Sequence, residues 1–178
     1  MKHRPLPPLE ELKEFLDYNP HTGIFTWIKS RARRCKVGQV AGGKSVLGYF
    51  VISFNYKEYK AHRLAYYMYH NVDPSEKQID HINGNRLDNR IKNLRLVTNQ
   101  QNQFNRTSLN KSNTSGRTGV YWHKRQKKWQ ASIKTNSKMT FLGYYTKKED
   151  AIQARIEAEK KYFGKFRRNS QIDCDFPK

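Results

Sequence analysis

The chain has 178 residues, with 35 Lys and Arg against 15 Asp and Glu, a formal charge of +20. That length admits one ordinary domain or two small ones, and with 36% hydrophobic residues each core must be modest. So large a charge opposes compaction and points to a polyanionic partner, with nucleic acid the default. No apolar run approaches ~18 residues, which excludes a transmembrane helix, and no basic amphipathic helix suggests a membrane surface. The N-terminus lacks the apolar core of a signal peptide. Cys35 and Cys174 form no CxxC pair, so free thiols in a reducing, cytoplasmic setting are expected rather than a Cys-based zinc site.

In chain order, Leu9 to Tyr18 places Leu9, Leu12, Phe15 and Leu16 at helical spacing after a Pro-rich lead and predicts a short amphipathic helix. Asn19-Pro20-His21-Thr22-Gly23 is a turn, and Ile24–Ile28 a strand. Ser30–Lys36 is a basic loop. Gly38–Gly43 is Gly-rich without the spacing of a phosphate-binding loop, so a hairpin loop is expected. Tyr49–Phe54 is a strand, Asn55-Tyr56 a turn, and Glu58–Ala61 the return strand. His62–His70 reads as a helix with Leu64, Ala65 and Met68 inward. His62 and Arg63 stand at its start, where capping, surface charge and phosphate contact are all open.

Ile79–Asn105 sets an unusual number of polar groups in a short space. Asp80 and His81 are adjacent, a loop rich in Asn and Gly runs from Asn83 to Asn89, and Asn93 opens a short alternating strand. Thr98 is placed to cap a helix that carries Asn102. Phosphodiester hydrolysis needs a base near pH 7 and stabilisation of charge on the phosphate and the leaving oxygen. A neutral imidazole supplies the first. A hard divalent ion held by one or two protein oxygens supplies the second. Asp80 offers a charged oxygen and Asn102 a neutral one. His81 points away from Asp80 in a regular strand unless the backbone turns, and the following loop allows such a turn. Asn83, Asn85, Asp88 and Asn89 read as turn residues.

Asp80-His81-Ile82-Asn83-Gly84-Asn85, Asp88-Asn89-Arg90 and Asn93-Leu94-Arg95 resemble the motif of phage-type HNH endonucleases, which are built on a ββα-metal finger. The turn and strand at 19–27 and the segment Ala61–Ala65 are similar to the same proteins, so the resemblance covers about residues 15–105. It implies that His81 is the general base and that Asp80 and Asn102 hold one divalent ion, Mg²⁺ with Mn²⁺ as substitute. It further implies that Asn93 fixes the loop and the orientation of His81. Many members have His where this chain has Asn102, and the amide argues against zinc. Arg90 and Arg95 are read as neutralising phosphates.

After a polar, basic stretch at Arg106–Arg117 that reads as a linker, the pattern changes. Gly119–Lys124, Trp129–Lys134 and Thr140–Gly143 alternate as strands of a three-stranded meander with one apolar and one basic face. Thr146 and Glu149 predict a capping box for a helix. Ala151, Ile152, Ala154, Ile156, Ala158, Tyr162 and Phe163 give that helix its packing face, and Gly164 ends it. Residues 115–166, from Ser115-Gly116 through Trp129–Ile133 and Phe141–Tyr145 to Phe163-Gly164, look like an AP2 DNA-binding domain. In that family the sheet enters the major groove. Alternation puts Tyr121, His123, Gln130, Ser132 and Lys134 on the exposed face with Phe141 beside them, and Val120, Trp122, Ala131, Ile133 and Leu142 toward the helix. Plant members carry arginines at several of these positions, so Tyr121 and Ser132 imply a different target. Lys124, Arg125, Lys127 and Lys128 are expected to contact phosphates.

The expected architecture is α+β. An HNH domain with N-terminal antiparallel strands spans 1–105, with its ββα core at about 78–105. A linker at 106–117 joins it to an AP2-like sheet and helix at 118–166, with a tail at 167–178. The expected activity is metal-dependent DNA cleavage of the phage homing type, leaving 5′-phosphate and 3′-hydroxyl ends. The partner is double-stranded DNA, met as a monomer or as a dimer assembled on it. A catalytically inactive DNA-binding regulator and an RNA-binding module are the alternatives.

Overall fold

The computed structural model of the chain describes residues 4–30, 35–104, 109, 113–135 and 138–167. Most of the basic loop at 30–36, half of the linker at 106–117, the turn at Asn136-Ser137, the tail from 168 with Cys174, and Asn105 lie outside these residues. The chain divides into two compact units, Met1–Asn102 and Gln103–Lys178. Both mix helices with small antiparallel sheets. No helix among the described residues is long and apolar enough to cross a membrane.

The first unit opens with α1 (Leu9–Phe15), whose Glu10 and Glu11 suit the positive end of the helix. The sequence pattern predicts a helix to Tyr18, but the chain leaves it after Phe15. Leu16–Asn19 is instead a strand, β1, paired with β2 (Ile24–Trp27) from Leu16↔Trp27 to Asn19↔Ile24. The turn between them explains the change. Asn19 Oδ1 accepts from the amides of His21 (3.0 Å) and Thr22 (3.1 Å), and the Gly23 amide donates to Asn19 O (2.8 Å). A hairpin closed this way needs both flanks extended, and Leu16 remains 1% exposed in the strand.

β3 (Gly43–Lys44), β4 (Phe50–Phe54) and β5 (Lys57–Lys60) form a sheet in that order. Asn55 and Tyr56, at φ 50° and 59°, make a two-residue turn with both φ positive, the kind whose twist matches the right-handed twist of the flanking strands. The helix α2 (Ala61–His70) follows β5 at once and ends on Asn71 in the left-handed region. Leu12, Leu16, Phe25, Ile52, Phe54 and Leu64 are fully enclosed between these elements. Each such side chain contributes roughly 1.5–3 kcal/mol by leaving water. The ribbon of β6 (Gln78–His81) and β7 (Leu94–Val97) is anchored to this core by Ile79 and Leu94. A 3₁₀ turn, Ile91–Asn93, precedes β7, and α3 (Asn99–Phe104) follows it.

The second unit holds β8 (Val120–His123), β9 (Lys128–Thr135) and β10 (Lys138–Tyr145) in the order β10-β9-β8, with α4 (Lys148–Phe163) against one face. Val120, Ala131, Ala151, Ile152 and Ile156 form one buried cluster, and Ile133, Ala158 and Phe163 another. Three expectations need correction. The helix begins one residue later than the Thr146 cap requires, with Lys147 at the cap position and no side-chain cap bond. Tyr162 is 44% exposed rather than packed, while Arg155 and Glu159 on the same helix are buried. Trp122 is half-exposed at the rim, its ring edge-on to Trp129 at 5.4 Å.

Glu159 explains the burial of charge. Its carboxylate accepts from Arg155 Nε (2.9 Å) and from Arg117, with Arg167 Nε at 3.5 Å. Arg155 also donates to the Ser132 carbonyl. This cluster ties the loop before β8 and the sheet to the helix.

Candidate active site

Register pairing places Asp80 opposite Arg95 and His81 opposite Leu94 on the β6–β7 ribbon. Side chains alternate along a strand, so Gln78 and Asp80 share one face, and Ile79 and His81 the other. Both catalytic candidates are buried: Asp80 is 6% and His81 5% exposed.

On the Asp80 face, Arg95 donates to Asp80 Oδ2 from Nε (3.0 Å) and Nη2 (2.8 Å). Thr98 caps α3 as expected. Its hydroxyl accepts from the Gln101 amide (3.2 Å), and Gln101 Oε1 accepts from the Thr98 amide (2.9 Å), a reciprocal capping box. The helix so fixed brings Asn102 to this face, where its Nδ2 donates to Gln78 Oε1. That bond uses the amide nitrogen and turns the other end of the amide, the carbonyl oxygen, into the remaining acceptor. Gln78 was not among the residues read from sequence. Its place two residues before Asp80 was the available signal.

Asp80 and Asn102 therefore offer oxygen donors, which suit a small hard cation that keeps water and substrate phosphate as its other ligands. No group of three or more His, Cys, Asp or Glu able to hold a metal exists among the described residues. The donor chemistry fits a single ion of the magnesium type better than a zinc site, which takes nitrogen and sulfur ligands.

On the opposite face, His81 Nε2 lies 3.3 Å from Asn89 Oδ1. Asn89 Nδ2 donates to the Leu87 carbonyl (3.4 Å), which fixes the amide with its oxygen toward the imidazole. With an acceptor at Nε2, that nitrogen carries the proton and Nδ1 the lone pair. Burial pushes His81 below the ordinary histidine value; Asn89, Asp80 and Asp88 oppose that shift and Arg86 adds to it. The ring is thus neutral at pH 7. Sequence reading made Asn89 a turn residue, but it is 2% exposed and is the partner of the imidazole.

The loop between the ribbon strands is held from several sides. Asn93 Oδ1 accepts from the Asn83 amide (3.0 Å), its Nδ2 donates to Asp88 O (2.8 Å), and its carbonyl accepts from the Ile82 amide (2.9 Å). Asn93 thereby joins both ends of the loop beside His81. Asn83 Nδ2 and the Arg90 guanidinium bind the Asp88 carboxylate, and those bonds, Arg90 foremost, hold its pKa down at about 2. From the N-terminal hairpin, Tyr18 Oη donates to Asn89 O (2.7 Å) and the Ile91 amide donates to Pro20 O (3.1 Å). Burial of that hydroxyl, reinforced by Asp88, raises the Tyr18 pKa.

His62 and Arg63 are both 5% exposed, which removes the surface-charge reading. The His62 ring meets His81 edge-on at 4.9 Å, and the Tyr49 ring stands 5.5 Å from His62 and 6.5 Å from His81. Arg63 Nη1 donates to the Lys77 carbonyl (3.3 Å) just ahead of β6. The start of α2 therefore backs the imidazole face of the ribbon.

In the second unit, Tyr121, Gln130 and Tyr144 stand in one row across the three strands. Phe141 pairs with Ser132 in the next row, and His123 with Lys128 at the other side. Tyr121 and Phe141 are exposed, as are Lys124, Arg125, Lys127, Lys128 and Lys134. Ser132 lies on this face but is 5% exposed. Tyr144, which sequence alternation hid, meets Phe141 at 5.0 Å and His123 at 5.2 Å.

Residues 59–104 match the family model described as HNH endonuclease. Protein 3.8 of Escherichia phage T7 is 38% identical over 65 residues, covering 36% of this chain and 53% of that protein. A protein of Acanthamoeba polyphaga mimivirus named "Uncharacterized HNH endonuclease L560" is 33% identical over 125 residues, or 70% of this chain and 64% of the relative. The chain thus spans between half and two thirds of the length of these curated relatives. No solved structure matches. The ribbon, the loop and the helix that carry Asp80, His81, Asn93 and Asn102 all fall inside the matched segment: residues 59–104 are an HNH endonuclease domain, and the chain has a viral homologue named for that activity.

Proposed function

We propose that the chain is a metal-dependent DNA endonuclease of the phage homing type. The observation that carries this reading is the pair of adjacent buried groups at the end of β6, the Asp80 carboxylate and an imidazole kept neutral by burial. His81 Nδ1 takes a proton from water as that water attacks the scissile phosphorus. Asn89 holds the protonated Nε2 and so the tautomer, and Asn93 holds the loop that carries Asn89. Asp80 and Asn102 hold the divalent ion, Mg²⁺ or Mn²⁺, which when bound supplies charge stabilisation for the phosphate and the leaving 3′ oxygen. Cleavage leaves a 5′-phosphate and a 3′-hydroxyl. Arg95 holds Asp80 in place, and Arg90 holds Asp88 in place and ionised.

The second unit supplies affinity and site choice through an AP2-like sheet. Its exposed face combines Tyr121, His123, Gln130, Phe141 and Lys134 with the basic turn Lys124–Lys128, a mixture suited to base edges and phosphates together. A tethered second binding module acts at high effective concentration. One imidazole site per chain nicks one strand, or cuts both as a dimer assembled on DNA.

Supercoiled plasmid carrying a cognate site is the test. Wild type with Mg²⁺ converts it to nicked or linear product, and His81→Ala lowers the rate by about 10²–10⁴-fold, the usual worth of a positioned base. Equal survival of the plasmid with both proteins refutes the enzyme and leaves a DNA-binding regulator.

A further inference from the structure

We propose that Lys60 and Arg86, gathered over the Tyr49 ring, form the seat for a DNA backbone phosphate beside His81. The proposal rests on the reading that this domain acts on DNA and adds the residues that hold the strand at the cutting site.

The cations that the sequence offers for this task are already engaged: Arg90 with Asp88 and Arg95 with Asp80. Lys60 and Arg86 are not. Neither makes an ion pair with a carboxylate among the described residues, and both are exposed. Yet they converge. Lys60 Nζ lies 4.5 Å and Arg86 Cζ 4.7 Å from the centre of the same ring. That ring is 6.5 Å from the His81 imidazole.

Three elements bring them together. Lys60 ends β5, Tyr49 lies just before β4, and Arg86 sits in the loop after β6, pinned by a bond from Nη1 to the Leu47 carbonyl (3.2 Å). The Tyr49 face attracts each cation and so holds both against their mutual repulsion. The nearest carboxylates are held by other partners, Asp88 by Arg90 and Asp80 by Arg95. The first turn of α2, which Lys60 caps, has no acidic residue and no side-chain cap. Arg63 adds a third positive group, and burial together with Arg63 and Arg86 lowers the Lys60 pKa. Two cations gathered on one ring with no carboxylate paired to either among the described residues, next to a buried base, are complementary to a phosphodiester. An isolated surface lysine over a tyrosine would need no such convergence.

The test is the salt dependence of binding to a short fluorescent DNA duplex, measured with the full chain in EDTA so that nothing is cut. Each phosphate neutralised contributes about 0.9 to the slope of log K against log salt, so Lys60→Gln with Arg86→Gln, which empties the one seat, should flatten the slope by about 1. Lys13→Gln with Lys29→Gln removes the same charge elsewhere on the first unit, and Lys60→Arg with Arg86→Lys keeps the charge; both should preserve the wild-type slope. Tyr49→Leu, which changes no charge, should weaken binding by releasing both cations from their positions. Far-UV spectra and urea midpoints check that the exposed substitutions leave the fold intact. The seat is refuted if the Lys60/Arg86 variant keeps the wild-type slope, or loses no more than the Lys13/Lys29 control. Because binding is read without cleavage, a wild type that binds but never cuts refutes the nuclease reading alone, and an unchanged slope in a cutting enzyme refutes the seat alone.

Discussion

Gly23 is the position where the N-terminal hairpin and the loop that carries Asn89 meet backbone to backbone, and Gly23→Ala tests whether that approach sets the site. At φ +76° a Cβ there would lie 2.5 Å from Arg90 N and 2.6 Å from Asn89 C. Two costs follow. The left-handed backbone is about 1–2 kcal/mol worse for alanine than for glycine. The collision adds an overpacking cost of about 1–3 kcal/mol, because backbone atoms must retreat by ~1 Å. Gly38 separates the two. Its φ is +81° and a Cβ there meets nothing within 4 Å, so Gly38→Ala carries only the first cost. Urea unfolding should show losses of about 2–5 kcal/mol for Gly23→Ala against about 1–2 kcal/mol for Gly38→Ala. The functional effect should diverge further. The displaced segment is Asn89, whose side chain holds His81, and a ~1 Å misplacement of a catalytic group costs up to about 10²-fold in rate. Plasmid nicking under conditions where both variants stay folded reads this directly. Equal stability losses in the two variants, or Gly23→Ala cutting at the wild-type rate, would show that the hairpin does not position the base.

Other consequences are as specific. Glu159→Ala leaves Arg117 and Arg155 buried with their shared carboxylate gone, so the second unit should lose about 3–5 kcal/mol, while Glu157→Ala on the exposed side of α4 should stay within about 0.5 kcal/mol; calorimetry of the full chain distinguishes them. Asp88 has a folded pKa of about 2 against an ordinary 3.8, so its bonds stabilise the loop fully above the ordinary value and are lost as pH falls through about 2. An NMR titration of the Asp88 carboxyl with a midpoint near the ordinary value would contradict the Arg90 clamp. Chelation with EDTA should abolish cutting and Mg²⁺ should restore it, while Asn102→Ala should raise the Mg²⁺ concentration needed; full activity in EDTA would sink the metal reading. Asn89→Ala should slow cutting through loss of the His81 tautomer without weakening DNA binding, and unchanged turnover would remove Asn89 from the mechanism.

Much of this organisation is legible in local pattern because local physics decides it. Thr98 followed by Gln101 encodes a capping box, and the helix that delivers Asn102 forms where the box says. Strand alternation separates Val120, Ala131 and Ile133 from Tyr121 and Gln130, and the sheet keeps that division. Where the reading failed, a distant partner had outvoted the local signal. Leu16–Asn19 continues a helical pattern, but its hairpin partner at Ile24–Trp27 makes it a strand. Thr146 and Glu149 match a capping box that the start of α4 does not use. Tyr144 shares the face of Phe141 only because the register slips between Phe141 and Gly143, and a bulge of one residue reverses every side chain beyond it. Arg155 and Glu159 look like an exposed i,i+4 pair, yet Arg117, far away in sequence, completes their burial.

The division of the site across the two faces of one ribbon follows from the same period of two. Adjacent residues in a strand cannot both point one way, so a carboxylate and an imidazole at Asp80 and His81 must serve opposite faces. The chain meets this by placing the pair at the last two positions of β6, where the ribbon ends and a loop begins. Each face then has its own supports: Gln78, Arg95 and Asn102 for the carboxylate, and Asn89, His62 and Tyr49 for the imidazole. Consecutive Cα atoms are ~3.8 Å apart, so a phosphate at the ribbon's end lies within reach of both. Adjacency in sequence gives the proximity, and alternation keeps the His81 imidazole from pairing with the Asp80 carboxylate. A carboxylate two residues from the imidazole on one face would let the two groups bond to each other and would raise the imidazole pKa further; in the adjacent arrangement burial outweighs the raising effects of Asn89, Asp80 and Asp88 and favours the neutral form that can accept a proton.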